Sequence, residues 1–173
     1  NHIINPDAPS AARVVYEYYG AAEAFPGISE EMILAVDKGD SANFNIEEVL
    51  NPQKWVLLNF IMDARTGLGR FRNFRISNYQ LMMDLIDYCR DHSIDDILKL
   101  PDVAERVELY FEHQEQFREQ IRENSTVHKN VLVVALKDVD PIFAGNRFVK
   151  YALYPETNIS IQQLWGYNRE NTV

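Results

Sequence analysis

The sequence predicts an α/β protein made of a mostly helical first part and a small α+β second part. Apolar residues recur at helical spacing as far as Ile121. The period then shifts to a short β-branched run at 131–136, and a second strand-like run follows at 159–165. That change sets a domain boundary near 123–128, dividing the chain into units at 1–123 and 127–173. No internal repeat or low-complexity segment interrupts either unit.

The elements follow from local signals. Pro9 and Ser10 open a helix whose apolar face is read as Val14, Val15, Tyr18, Tyr19 and Ala22. Ser29, followed by Glu30 and Glu31, reads as an N-cap with acids in the first turn, and Gly39 reads as the stop signal of that helix. Asn45 with Glu48 makes a capping box ahead of Val49 and Leu50. Residues 55–62 are apolar nearly all round, which predicts a deeply buried helix. Ser77 with Gln80 opens a helix carrying Met82, Leu85, Ile86 and Cys89. Asp102 with Glu105 opens the longest one, with Val103, Val107, Tyr110, Phe117 and Ile121 on one face. Beyond the strand at 131–136, Asp138, Asp140 and Pro141 make a turn, and 146–154 reads as a short helix.

Bulk composition narrows the function. With 46% hydrophobic and 12% aromatic residues, the chain has the apolar content of a folded domain. A formal net charge of −9 argues against nonspecific binding of duplex DNA, yet leaves room for an anionic substrate in a local pocket. The single cysteine, Cys89, rules out an internal disulfide and a cysteine-rich zinc site, and it reads as a buried small hydrophobe. A reducing, cytoplasmic setting fits. No apolar run approaches a membrane span, and none reads as a signal peptide. The strand pattern at the end of the chain leaves an unpaired edge, so the sequence reads as a fragment of something longer. Homodimerisation is expected only if a partner covers that edge.

Two groups of residues could carry chemistry. In Ala35-Val-Asp-Lys-Gly-Asp-Ser-Ala-Asn-Phe44, Asp37 and Asp40 lie near the negative end of a helix dipole, where acids are disfavoured by about 0.3–1 kcal/mol. Carboxylates so placed either face water, with Lys38 as counter-charge, or hold a cation. Arg65, Arg70, Arg72 and Arg75 account for four of the chain's 17 basic residues, interleaved with Phe71, Phe74, Gly67 and Gly69. Guanidinium groups grip phosphate oxygens and aromatic faces stack on bases, which suits a phosphorylated ligand. In the alternative, Arg72 and Arg75 pair with surface acids while the phenylalanines enter the core. His2, His92, His113 and His128 are scattered, and each reads as a surface or capping residue, with His113 on the polar side of the long helix. Spacing alone assembles no complete active site.

Several segments together resemble the DHH phosphoesterase superfamily, in particular its exopolyphosphatase-related group. They are Pro9-Ser-Ala-Ala-Arg-Val-Val-Tyr-Glu-Tyr-Tyr-Gly20, the 35–44 run, the 55–70 run, and Gly145-Asn-Arg-Phe148 with Asn158-Ile-Ser-Ile161. Members carry an Asp-His-His motif before a helix like 10–19, and a later Asp-Ser/Thr-x-x-Phe motif that supplies a metal carboxylate. Asp40-Ser-Ala-Asn-Phe44 fits the later motif, with Asp37 as the other register. The Asp-His-His motif would precede Asn1, and a glycine-rich His motif would follow Val173. His2 is followed by Ile3 and does not stand in.

The resemblance implies that 1–123 is the C-terminal part of a DHH catalytic domain with its linking helix. Residues 127–173 would begin the associated substrate-binding domain. It further implies two-metal hydrolysis with Mn²⁺ or Mg²⁺, Asp40 as a ligand, and Arg65, Arg70, Arg72 and Arg75 as contacts to substrate phosphates. Substrates of the parent protein would be short oligonucleotides, cyclic dinucleotides or polyphosphate, and the fragment alone would be inactive. Phe71 and Phe74 lean toward nucleotides, since polyphosphate offers no base to stack. The competing expectation is a non-catalytic helical binding or regulatory module in which Asp40 only caps local structure.

Overall fold

The computed structural model describes residues 3–71 and 74–166. Helices α1 (Ala11–Tyr18), α2 (Ala21–Ala24), α3 (Glu30–Ser41), α4 (Ile46–Leu50) and α5 (Lys54–Met62) lead into two 3₁₀ turns, Ala64–Thr66 and Leu68–Arg70. Next come α6 (Asn78–Asp91), α7 (Ile94–Ile97) and the long α8 (Pro101–Glu123). Strands β1 (Ser125–His128) and β2 (Val131–Ala135), helix α9 (Val149–Leu153) and strand β3 (Ile159–Gln163) complete the chain. The architecture is the mixed α/β one that the sequence predicts.

Side-chain caps start most of the helices where the sequence placed them. Ser10, Ser29, Ser77 and Ser93 each accept a backbone N–H from the first turn of α1, α3, α6 and α7. Asn45 and Glu48 form the full capping box of α4. Three details differ from expectation. Gly39 does not end α3: the helix runs to Ser41, and Ala42 closes it in the left-handed region at φ 54°. Gly39 is needed for packing instead, because a Cβ there would overlap the Asn59 amide of α5. The long helix starts on Pro101 at its first position, not on an Asp102 cap. In α1 the buried residue is Tyr16, while Val15, Tyr18 and Tyr19 are exposed.

The sheet order is β1-β2-β3, with β1 antiparallel and β3 parallel to β2. β1 falls on the segment that the sequence reading treated as a boundary. The helix expected over 146–154 is shorter, and Asn146 precedes it as a buried anchor. Its side-chain amide donates to the Val49 carbonyl at 3.0 Å and to the Tyr110 hydroxyl at 2.8 Å.

Two apolar clusters hold these elements. One gathers Leu57, Phe60, Ile61, Leu81, Leu85, Ile97 and Val103 between the helices. The other joins Leu132, Val134 and Leu136 to Val49, Phe117 and Ile121, so the sheet packs on the helical part rather than standing apart. Phe44 and Phe148 touch both clusters. At their meeting point Gly145 lies against the Phe117 ring, where any side chain at 145 would overlap the ring. The Gly145 N–H donates to the Thr66 carbonyl at 3.0 Å.

Candidate functional site

The two aspartates of the 35–44 run face opposite fates three residues apart. Asp37 is buried and fully engaged: Ser10 Oγ donates to it at 2.6 Å, and Arg13 donates from Nε at 2.9 Å and from Nη2 at 2.6 Å. Burial alone would raise the Asp37 carboxyl, but hydrogen bonds from Arg13 and Ser10, with the charge of Arg13, hold it below the usual carboxylate value. The pair fastens α1 to α3, which gives Asp37 a structural task and leaves it no free oxygen. Asp40, one turn nearer the helix end, is exposed, and no hydrogen bond or ion pair among the described residues engages it.

Asp40 opens onto a groove of about 310 Å³ lined by Gly39, Asn59, Met62, Asp63, Arg65, Arg147 and Phe148. Its floor comes from α3 and α5, whose close approach at Gly39 brings Asn59 beside Asp40. Asp63, at the exit of α5, caps the following 3₁₀ turn by accepting the Arg65 N–H at 2.9 Å. The same carboxylate accepts from Arg65 Nε at 2.8 Å and 3.1 Å, and lies 3.5 Å from Arg147 Nε. Burial pushes Asp63 upward, yet the bonds from Arg65 and the charges of Arg65 and Arg147 leave it below the ordinary value. Reciprocally, Asp63 raises the affinity of Arg65 for its proton.

Arg147 arrives from the far end of the chain. Its guanidinium stacks on the Phe148 ring at 4.4 Å, and Phe148 in turn packs on Phe44 and Phe60. At 3.5 Å the Asp63 contact is too long for a good hydrogen bond, and the buried Nε of Arg147 finds no other acceptor among the described residues. The groove therefore holds two guanidiniums, one carboxylate that steadies both, one free carboxylate, and a donor without an acceptor. The formal charges of the two arginines and two aspartates balance, so an oxyanion would be held here by hydrogen bonds from the guanidiniums rather than by net charge.

The structure brings Asp40 and Arg65 together but scatters the other arginines. Arg70 is exposed, with Nη2 3.5 Å from the Phe143 carbonyl, and its charge acts on His113 rather than on the groove. Arg75 donates to Asp102 at 3.1 Å while Phe71 and Phe74 pack against the core, which matches the alternative reading of that segment. Arg72 lies outside the described residues. His113, read as polar-facing, is buried: its Nδ1 accepts the Ala144 N–H at 3.2 Å, and its ring meets Phe71 and Phe143. His2 lies outside the described residues as well.

Arg147 and Asp63 were missed as site residues. A signal for each existed: Arg147 sits inside the Gly145-Asn-Arg-Phe148 run, and Asp63 in an Asp-x-Arg turn ahead of Gly67. Neither spacing reveals that residues 84 positions apart share one groove. Among the described residues, no three His, Cys, Asp or Glu side chains gather as a metal site. Asp40 offers a single ligand, so the described residues do not by themselves fit a two-metal centre. Among them, too, no helix is long and apolar enough to cross a membrane.

No family model matches the chain, and no curated protein does. A solved structure does: a pGpG-specific phosphodiesterase, PggH from Vibrio cholerae, at 59% identity over 99% of this chain with a TM-score of 0.86. The chain spans 57% of the length of that structure. In sequence and in fold alike, this chain is therefore similar to rather more than half of a phosphodiesterase.

Proposed function

We propose that this chain belongs to a phosphodiesterase that cleaves the bridging phosphodiester of a linear dinucleotide such as pGpG. Water would add to phosphorus as the P–O3′ bond breaks, leaving two molecules of GMP. The observation that carries the reading is the groove in which Arg147 and Arg65, both beside Asp63, lie with the free carboxylate of Asp40. Both guanidiniums would bind the phosphate and offset the charge that grows on its oxygens, with Asp63 holding them in place. The 59% identity to a pGpG-specific enzyme supports a dinucleotide over polyphosphate or a cyclic dinucleotide.

The resemblance to the DHH phosphoesterases supports the rest of the proposal. Asp40 would supply one ligand to a Mn²⁺ or Mg²⁺ centre whose other ligands lie outside the described residues. When bound, such ions activate water and act as Lewis acids on the phosphoryl group. A cytoplasmic location and a homodimer built on an open sheet edge complete the proposal. The isolated chain would be inactive.

The test uses the intact protein. With Mn²⁺ supplied, pGpG should be cleaved to GMP, and excess polyphosphate should compete poorly. Asp40→Asn should leave the melting temperature unchanged, since the side chain is exposed, while metal affinity and turnover fall together. Unchanged metal affinity in that variant would favour the non-catalytic binding module instead.

A further inference from the structure

The segment that delivers Arg147 to the groove is gripped residue by residue, mostly from one buried stripe of α8. Gln120 accepts the Phe143 N–H on Oε1 at 3.1 Å and donates to the Pro141 carbonyl at 3.0 Å. His113 takes the next amide, accepting the Ala144 N–H on Nδ1 at 3.2 Å. The Gly145 N–H goes to the Thr66 carbonyl at 3.0 Å, which ties the segment to the turn that carries Arg65. Tyr110 then accepts from the Asn146 side-chain amide at 2.8 Å. Tyr110, His113, Phe117 and Gln120 recur at helical spacing, and Phe117 closes the row against Gly145. Residues 143, 144, 145 and 146 thus each have a partner, and Arg147 comes next.

Within this row His113 is the member whose bond depends on a charge state near neutral pH. An imidazole accepts at Nδ1 only while it is neutral, with its proton on Nε2; the imidazolium donates from both nitrogens. The peptide group it holds is faced from the other edge by Arg70, whose Nη2 lies 3.5 Å from the Phe143 carbonyl. A protonated ring would set two donors against each other and place a second positive charge near Arg70. The ring otherwise meets Phe71 and Phe143, edge-on, at centroid distances of 4.6 and 5.2 Å. Among the described residues two charges act on it. Arg70 disfavours protonation and Glu112, its neighbour on α8, favours it, while burial is the largest cause and sides with Arg70. The ring is therefore mainly neutral at pH 7.

His113 does not line the groove of Asp40, Arg65 and Arg147. We propose that it is a positioning residue for phosphate binding: the neutral ring fixes the 143–145 segment so that Arg147 reaches the groove it shares with Arg65, and acid loosens that hold. The inference rests on the phosphodiesterase reading above.

The experiment measures KM and kcat for pGpG between about pH 7.5 and pH 5.5 in the intact, Mn²⁺-loaded protein, for the wild type, His113→Asn and His113→Leu. Asparagine keeps an acceptor near the place of Nδ1 and does not titrate; leucine keeps only bulk. At the upper pH His113→Leu should raise KM roughly three- to tenfold, the effect of one lost hydrogen bond, with kcat nearly unchanged, and His113→Asn should recover most of that loss. On acidification KM should rise more steeply in the wild type than in His113→Asn by a similar factor, since titration of substrate and of metal ligands is common to both and cancels. Amide exchange over 143–147 should quicken in His113→Leu, and with acid should quicken more in the wild type than in His113→Asn. An acid-side rise in KM that is equal in the wild type and His113→Asn would overturn the proposal, as would an unmoved KM in a folded His113→Leu. If the leucine variant does not fold, the comparison of wild type with His113→Asn decides. If the wild type does not cleave pGpG, the phosphodiesterase reading fails, and amide exchange alone decides whether neutral His113 holds the segment.

Discussion

The guanidinium of Arg13 closes on the carboxylate of Asp37 through two hydrogen bonds, 2.9 Å from Nε and 2.6 Å from Nη2, across the seam between α1 and α3. Both side chains are largely buried, at 13% and 8% exposure. Removing either partner strands the other charge, so Asp37→Ala should destabilise the protein by about 3–5 kcal/mol. Metal affinity should be retained in whatever fraction stays folded. Chemical denaturation, paired with a metal titration at low temperature, separates the two effects. A stable variant with lost metal binding would return Asp37 to the metal site.

The titrating groups predict acid lability in two stages. Burial first, and then the charge of Arg70, outweigh Glu112 and depress the His113 imidazole below its ordinary 6.5. Unfolded chains therefore take up a proton there more readily than folded ones, and stability is lost as pH falls from about 6.5 through the folded value. Asp37 and Asp63 are likewise depressed below 3.8. Their contribution is complete above that value and disappears at lower pH. Urea midpoints followed from pH 8 to pH 3 should show both declines, and His113→Gln should remove the upper one.

Arg147 and Asp63 are expected to separate kinetically. Arg147→Lys keeps the charge but loses the planar fork, and should lower kcat/KM for pGpG by about ten- to a hundredfold with little change in stability. Asp63→Asn removes the group that steadies both arginines without touching substrate, and should act more gently and mainly on KM. Steady-state kinetics on the intact protein checks both. Equal activity of Arg147→Lys and wild type would exclude Arg147 from phosphate binding.

Gly145→Ala tests the joint between the sheet and the helices. The new methyl would overlap the Phe117 ring, which belongs to the second apolar cluster and cannot swing into solvent. Overpacking of this kind costs about 1–3 kcal/mol. Because Arg147 follows two residues later, the same variant should weaken pGpG binding, and Phe117→Leu should restore part of both losses by making room.

What the sequence disclosed was whatever depends on near neighbours. The caps at Ser10, Ser29, Asn45 and Ser77 were readable because each closes on a backbone N–H three residues ahead. The strand at 131–136 was readable from its β-branched run. Tyr16 was not, since valines and tyrosines on neighbouring positions of α1 offer an equally apolar face, and it is Tyr16 that Phe25 approaches, its ring stacking at 5.9 Å. His113 looked polar-facing because its helix neighbours are charged; the chain that buries it, Phe143 and Ala144, lies 30 residues away. Gly39 imitated a stop signal, whereas its missing side chain serves α5.

The candidate site was half legible. Asp40 and Arg65 carried recognisable local patterns. Arg106, fully buried, was invisible as an organiser: it donates to Asn78 at 2.8 Å and to the Ile76 carbonyl at 2.7 Å, and lies over Phe74 at 4.1 Å. That arrangement fixes the segment whose arginines had suggested a phosphate patch, and it turns Arg75 toward Asp102. Tertiary placement, not composition, separates a binding arginine from a surface one.

The Asn146 amide that reaches Val49 and Tyr110 has a consequence for the order of folding. Val49 and Asn146 are 97 residues apart, and contacts of such span form late because closing a long loop must precede any gain from it. Arg147, the next residue, therefore takes its place only after α4 and α8 have met. A partly folded chain would present Asp63 and Arg65 without their distant companion. On the proposed function, nucleotide should accordingly slow unfolding while leaving the refolding rate untouched, since Arg147 reaches the groove only at the last step.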